Sequence, residues 1–187
     1  MDHAGALGYS EDRGFCAVVF DDGVGSGFIE LRRAKAVLVN SGNANCATGQ
    51  PGIDACLQTC VAAAETFHCI FDEVFPSSTG IIGVPFPAEK VIAALPALLE
   101  SLGDTPFHAD LFASAIMTTD TKKKTAYAVI DHDGAKATIF GAAKGAGMIH
   151  PQLGPPHATM LVYLFTDIAA TSEQLRASLA PAVEKSF

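Results

Sequence analysis

Three short stretches made of small residues stand where chemistry could be done: "NSGNAN" (40–45), "SSTGIIG" (77–83) and "KGAGM" (144–148). Side chains this small let backbone N–H groups approach a ligand, and several such groups together hold an anion or the oxyanion of an acyl-transfer intermediate. Taken singly, each stretch reads equally as a tight turn. None is a nucleotide signature, because "GAAKGAGM" neither follows the G-x-G-x-x-G pattern between a strand and a helix nor ends in the GK[ST] of a phosphate loop. Cys56 and Cys60, four apart on an expected helix, share a face as two thiolate ligands would, but small buried cysteines do the same. His150 and His157 form only a pair, whereas metal clusters normally involve three or more groups. No metal site is assigned.

The elements that must carry these stretches follow from periodicity. "FCAVVF" (15–20) and "KAVLVN" (35–40) are β-branched runs bounded by Gly and Asp clusters, hence strands, and 41–52 is expected to be loop. From Pro51, apolar residues recur at Ile53, Cys56, Leu57, Cys60, Val61 and Ala64, which predicts a helix to about His68 lying against a sheet. A short strand is expected over Val74 to Ser77, then a Gly-Pro loop, then a helix from Pro87 that Pro96 interrupts. A third helix is expected over Ala109 to Met117. Alternating runs on either side of Asp133-Gly134 predict a hairpin. A strand over Ala158 to Phe165 and a helix from the Thr171/Gln174 capping pair complete the chain. The fold class is therefore α/β or α+β, a sheet-and-helix sandwich.

The 187 residues fit one domain of ordinary size or one and a half small ones. A hydrophobic fraction of 49% against 17% charged is rich in apolar side chains and fits a surface that a partner covers. The longest apolar runs fall well short of the roughly 20 residues a bilayer span requires, so no membrane partner is expected. A net charge of −8 argues against nucleic acid, whose phosphates need a surplus of Lys and Arg. Five cysteines, odd in number and without a CxxC pair, favour a reducing, intracellular compartment, and no targeting peptide is visible in the N-terminal residues.

Taken together the motifs resemble one family. "VLVNSGNAN" followed by "TG", then "SSTGIIG", "AIMTTDT", "GAAKGAGMIHP" and "ATML" followed by "TD" occur in the order and at about the separations found in the ornithine acetyltransferases. These are also called bifunctional glutamate N-acetyltransferases and act in arginine biosynthesis. The resemblance runs from about Ala36 to Ala169 and is poor over 1–35. It implies a precursor that cuts itself between Ala158 and Thr159, giving an alpha-subunit-like domain (1–158) and the truncated start of a beta-subunit-like segment (159–187). Thr159 would then be an N-terminal nucleophile whose own α-amine, with a reference pKa of about 7.7 to 8.0, serves as its base. Thr79 and Gly80 resemble the family's oxyanion hole. Lys144 and Thr121 resemble its substrate-binding lysine and threonine, with Thr118 and Thr119 close by in sequence. "NSGNAN" reads as scaffold and Lys122 to Lys124 as a solvated run.

The implied reaction takes acetyl from N-acetylornithine onto Thr159 and passes it to glutamate, with ping-pong kinetics and no cofactor. The implied partners are these small amino-acid substrates and a complementary beta subunit, in a hetero-tetramer of two alpha and two beta chains. The spacer "QLGPPH" between "MIHP" and "ATML" resembles fungal relatives, which points to the mitochondrial matrix; a bacterial source would place the protein in the cytoplasm. Two other classes compete: a related N-terminal-nucleophile amidase or aminopeptidase, and an inactive, uncleaved assembly module.

Overall fold

The computed structural model describes residues 6–9, 15–19, 34–145 and 160–186. Strand β1 (Ala6–Tyr9) pairs antiparallel with β2 (Phe15–Val19), and β2 pairs antiparallel with β3 (Ala36–Asn43). Strand β4 (Val74–Ile81) adds to β3 in parallel, giving the order β1-β2-β3-β4. The crossover between the two parallel strands is helix α1 (Gly49–Thr66), as parallel pairing requires. Helices α2 (Ala88–Glu100) and α3 (Pro106–Ala115) follow, then a second, antiparallel sheet of β5 (Lys124–His132), β6 (Ala135–Lys144) and β7 (Leu161–Thr166). Helix α4 (Ser172–Ser186) ends the described chain. This is the expected α+β sandwich of sheets and helices.

The period-2 alternation of β3 and β4 divides the molecule. Ala36, Leu38 and Val74 pack on one face with Cys60, Ala63, Ala64 and Phe67 of and just after α1 and with Val91, Ala94, Leu95 and Leu98 of α2. Val39 points the other way, into a cluster with Phe112, Ala113, Ala115 and Ile116 of and beside α3 and with Ala142 of β6. Phe112, fully buried, meets Tyr163 and Phe165 edge-on at 5.3 and 5.5 Å between ring centroids, the geometry that the aromatic quadrupole favours. The second core therefore joins α3 to the second sheet.

Several local expectations hold. The hairpin turns at Asp133 (φ 53°) and Gly134 (φ 84°), two consecutive left-handed residues as a two-residue primed turn demands, with His132 opposite Ala135. At α4, Gln174 N–H donates to Thr171 Oγ1 at 3.2 Å and Thr171 N–H to Gln174 Oε1 at 2.8 Å, a reciprocal capping box. Others are corrected. The strand β3 continues through Ser41-Gly42-Asn43 and β4 through Thr79-Gly80-Ile81, because these six residues pair with one another in the ladder. Two stretches expected as loop are thus strand ends. Backbone pairing needs no apolar side chain, which is why composition missed it.

Pro96 does not interrupt α2. It lies on the exposed side while Val91, Leu95 and Leu98 pack on the other, and that burial outweighs the roughly 3 kcal/mol a mid-helix proline costs. Helix α3 begins three residues earlier than expected, with Pro106 in its first turn. In α1, Ile53, Leu57 and Val61 are exposed, and the helix instead buries the small residues Gly52, Thr59, Cys60, Ala63 and Ala64. Small side chains let α1 approach α2 and β4 closely.

Candidate active site

Lys144 is the last residue of β6 and is 5% exposed, an unusual depth for an ammonium. Its Nζ donates to Thr79 Oγ1 at 2.7 Å and to Thr118 Oγ1 at 2.8 Å. Thr79 comes from the end of β4, on the face that carries Ser77 and, from β3, Ser41. Ser77 Oγ and Tyr163 OH lie 2.7 Å apart, and Ser41 Oγ donates to the carbonyl of Ala115 at 2.6 Å. The second sheet and α3 are thereby docked onto the same strand ends. With a lone pair of its oxygen taken by Lys144, the Thr79 hydroxyl keeps its proton to donate to a third group.

Gly80, next along, is exposed and takes φ +133° opposite Gly42. A Cβ built there would stand 2.3 Å from the Gly42 carbonyl carbon, so no other residue fits this approach of the two strands. On the reverse face, Ser78 Oγ accepts from Asn45 N–H at 2.9 Å, and Asn45 Nδ2 donates to the Gly52 carbonyl at 2.8 Å. "NSGNAN" acts as scaffold: it ties the end of β3 to β4 and to the first turn of α1. The buried Asn40, 3% exposed, donates to the Asn43 carbonyl at 3.1 Å.

Asp120 completes the cluster. Its side chain is 3% exposed and accepts from Lys124 Nζ, from Gly145 N–H at 3.0 Å and, at 3.5 Å, from Thr118 N–H. Burial alone would raise its carboxyl pKa, but the Lys124 ammonium and the backbone N–H groups of Gly145 and Thr118 outweigh it and hold the value at about 2. Burial pushes the Lys144 ammonium pKa down; Asp120 pulls it back up and Lys124 adds to the fall. The cluster is thus a buried cation held by two hydroxyls, with one shielded carboxylate beside it. Such an arrangement orients hydroxyl donors toward developing negative charge.

The amino-acid sequence from 23 to 187 matches the model of the ArgJ family. The chain belongs to that family. The match begins earlier and runs later than the motifs alone indicated. Arginine biosynthesis bifunctional protein ArgJ of Thermus thermophilus is 46% identical over 153 residues, 82% of this chain and 37% of the relative. Glutamate N-acetyltransferase of Methanopyrus kandleri is 40% identical over 154 residues, 82% of this chain and 38% of the relative. This chain therefore spans well under half the length of these relatives. Among solved structures, ArgJ of Bacillus halodurans superposes with a TM-score of 0.71 at 29% identity, covering 80% of this chain and 90% of that one. Ornithine acetyltransferase of Mycobacterium tuberculosis, crystallised with ornithine, gives 0.60 at 27% identity, over 75% of this chain and 83% of that one.

Of the ArgJ-like site residues expected from the motifs, the structure brings Thr79, Gly80 and Lys144 together. Thr121 is exposed, and the hydroxyl that reaches Lys144 is that of Thr118, because the chain from 118 to 123 turns about the Asp120 carboxylate. Lys122 to Lys124 are not simply a solvated run: Lys123 pairs with Asp110 and Lys124 with Asp120, though both lysines stay more than a third exposed. Ala158, Thr159, His150 and His157 lie outside the described residues. Burial, then the neighbouring Cys56, pushes the Cys60 thiol up to about 12, so it stands as a protonated, buried thiol of the α1 face. Sequence reasoning passed over Asp120 and Tyr163. The signal for Asp120 was present, a lone carboxylate inside "MTTDT" just before three lysines; a half-buried tyrosine in an apolar strand gives none.

Proposed function

We propose that this chain is the acetyl-transferring part of a self-cleaving ArgJ enzyme, moving acetyl from N-acetylornithine to glutamate in arginine biosynthesis. One observation carries the reading: Lys144 Nζ bonds Thr79 Oγ1 at 2.7 Å, which joins the "SSTG" and "AKGAG" motifs in one cluster. The register supports it as well. Leu161, two residues after Thr159, stands opposite Lys144 in the β6–β7 ladder, so the chain re-enters the described structure beside that lysine.

In this mechanism Thr159 Oγ first attacks the carbonyl of Ala158, the Ala158–Thr159 C–N bond breaks to free the Thr159 α-amine, and water hydrolyses the resulting ester to release the Ala158 carboxylate and restore the Thr159 hydroxyl. That amine then takes the hydroxyl proton as Thr159 attacks the acetyl carbonyl of N-acetylornithine. Thr79 Oγ–H and Gly80 N–H stabilise the oxyanion, the C–N bond breaks, and ornithine leaves with the proton on its amine. Glutamate's amine then attacks the acetyl ester, the C–O bond breaks, and the Thr159 hydroxyl is restored. Lys144, with Thr118, is suited to an amino-acid carboxylate. A complementary beta subunit is the expected partner, in a tetramer of two alpha and two beta chains, working in the mitochondrial matrix of a eukaryote or the cytoplasm of a bacterium.

Intact-mass measurement on the purified chain tests this. We expect fragments 1–158 and 159–187, an acetyl adduct on Thr159 after incubation with N-acetylornithine, and neither in Thr159→Ala. Cleavage without an adduct would favour an amidase or aminopeptidase. A single intact chain without an adduct would favour an assembly module.

A further inference from the structure

Lys144 and Thr118 come from segments 26 residues apart, and no β-ladder joins them. Ile116 packs with Ala142, and Lys124, the first residue of β5, pairs with Ala143; the polar tie between the stretch after α3 and the end of β6 is Asp120, which accepts from Gly145 N–H on one side and from Lys124 on the other. We propose that Asp120 is a positioning residue of this site: its buried carboxylate fixes Thr118 and Lys144 relative to Thr79 and supplies the counter-charge to the buried ammonium. This rests on the reading of Lys144 and Thr79 as site residues.

Several features make the role specific. The carboxylate is 3% exposed, so its charge acts through protein rather than water. It accepts the N–H of the residue that follows Lys144, which sets the backbone from which the lysine side chain departs. Among the described residues the charged groups acting on Lys144 are Asp120 and Lys124, of opposite sign, while Thr79 and Thr118 offer only hydroxyls. Removing each charge should therefore move Lys144 in opposite directions. A residue that merely braced the loop would produce no such opposition.

The test is an NMR pH titration of the full chain labelled at lysine Cε, with the Lys144 resonance assigned by its loss in Lys144→Arg. In Asp120→Asn the Lys144 midpoint should fall. In Lys124→Met, which keeps the carboxylate and removes the competing cation, it should rise. An unmoved midpoint in Asp120→Asn overturns the proposal, as does a fall in Lys124→Met; the second variant decides the matter if the first does not fold. The titration does not depend on turnover. Shifts of the expected sign in a chain that transfers no acetyl would therefore sink the acetyltransferase reading and leave this one standing.

Discussion

The two faces of the β3–β4 pair are built differently although they alternate along the same residues. Toward α1 and α2 the strands present Ala36, Leu38, Val74 and Pro76, and the core there is mainly aliphatic and alanine-rich, with Phe67 among its buried residues and no buried charge among the described residues. Toward α3 and the second sheet they present Val39, Ser41, Ser77 and Thr79, and the core is aromatic at its centre and polar at its edge. An aliphatic face tolerates small shifts, because dispersion and burial are non-directional. Hydrogen-bonded hydroxyls and edge-on rings do not, since both fall off quickly with angle and distance. The face that must hold Lys144 in place is therefore the one stapled by directional contacts.

The largest expected effect is on the aromatic side. Phe112 is fully buried and contacts both Tyr163 and Phe165, so Phe112→Ala should cost about 3 to 5 kcal/mol in a urea titration. The chain has no tryptophan and three tyrosines, so the same variant should also weaken the near-UV circular dichroism of Tyr163. Leu95→Ala, on the aliphatic side, should cost a comparable amount and leave that signal unchanged. Equal loss of the signal in both variants would mean that the two faces do not differ in what they order.

A smaller effect distinguishes the faces by pH. Asp120 is held near 2 in the folded protein against an ordinary 3.8. A depressed carboxyl pKa contributes stability that is complete above the unfolded value and is lost as pH falls through the folded one. The contribution, of order 2 kcal/mol, should be present at pH 5 and largely gone by pH 2. The stability gap between the unsubstituted protein and Asp120→Asn should close over that window, as followed by urea midpoints at successive pH values. A constant gap would show that Asp120 acts by shape and not by charge.

What could be read from the amino-acid sequence follows the same division. The hairpin at Asp133-Gly134, the capping pair at Thr171 and Gln174, and the first-turn Pro51 of α1 were legible because each states a local rule in two or three residues. The strand ends at Ser41 to Asn43 and Thr79 to Ile81 were not, because glycine-rich composition signals turns unless a partner strand is known. The exposed stripe of Ile53, Leu57 and Val61 shows another limit: helical periodicity finds an apolar face but does not say which face meets the core. At the candidate site, motif resemblance pointed to Thr79, Gly80, Lys144 and Thr121, with Thr118 and Thr119 named only as neighbours, and the threonine hydroxyl that bonds the lysine from this stretch is that of Thr118. One sequence gives no measure of how a six-residue stretch coils about a carboxylate.

The subtlest difference between the faces sits at the Ser77–Tyr163 contact. These hydroxyls lie 2.7 Å apart and link β4, two residues before Thr79, to β7, two residues after Leu161. Tyr163→Phe keeps the ring against Phe112 and removes one hydroxyl, so the stability cost should be only about 0.5 to 1.5 kcal/mol. Its effect on acetyl transfer should nonetheless exceed that of an equally destabilising change on the α1 side, such as Val91→Ala diluted by a stabilising buffer to the same urea midpoint. The reason is geometric: the lost bond ties the strand bearing Thr79 to the strand that re-enters beside Lys144, and small misplacements of reacting groups lower rates steeply. If the two variants, matched in stability, lose activity equally, the directional contacts hold the fold together without setting the site.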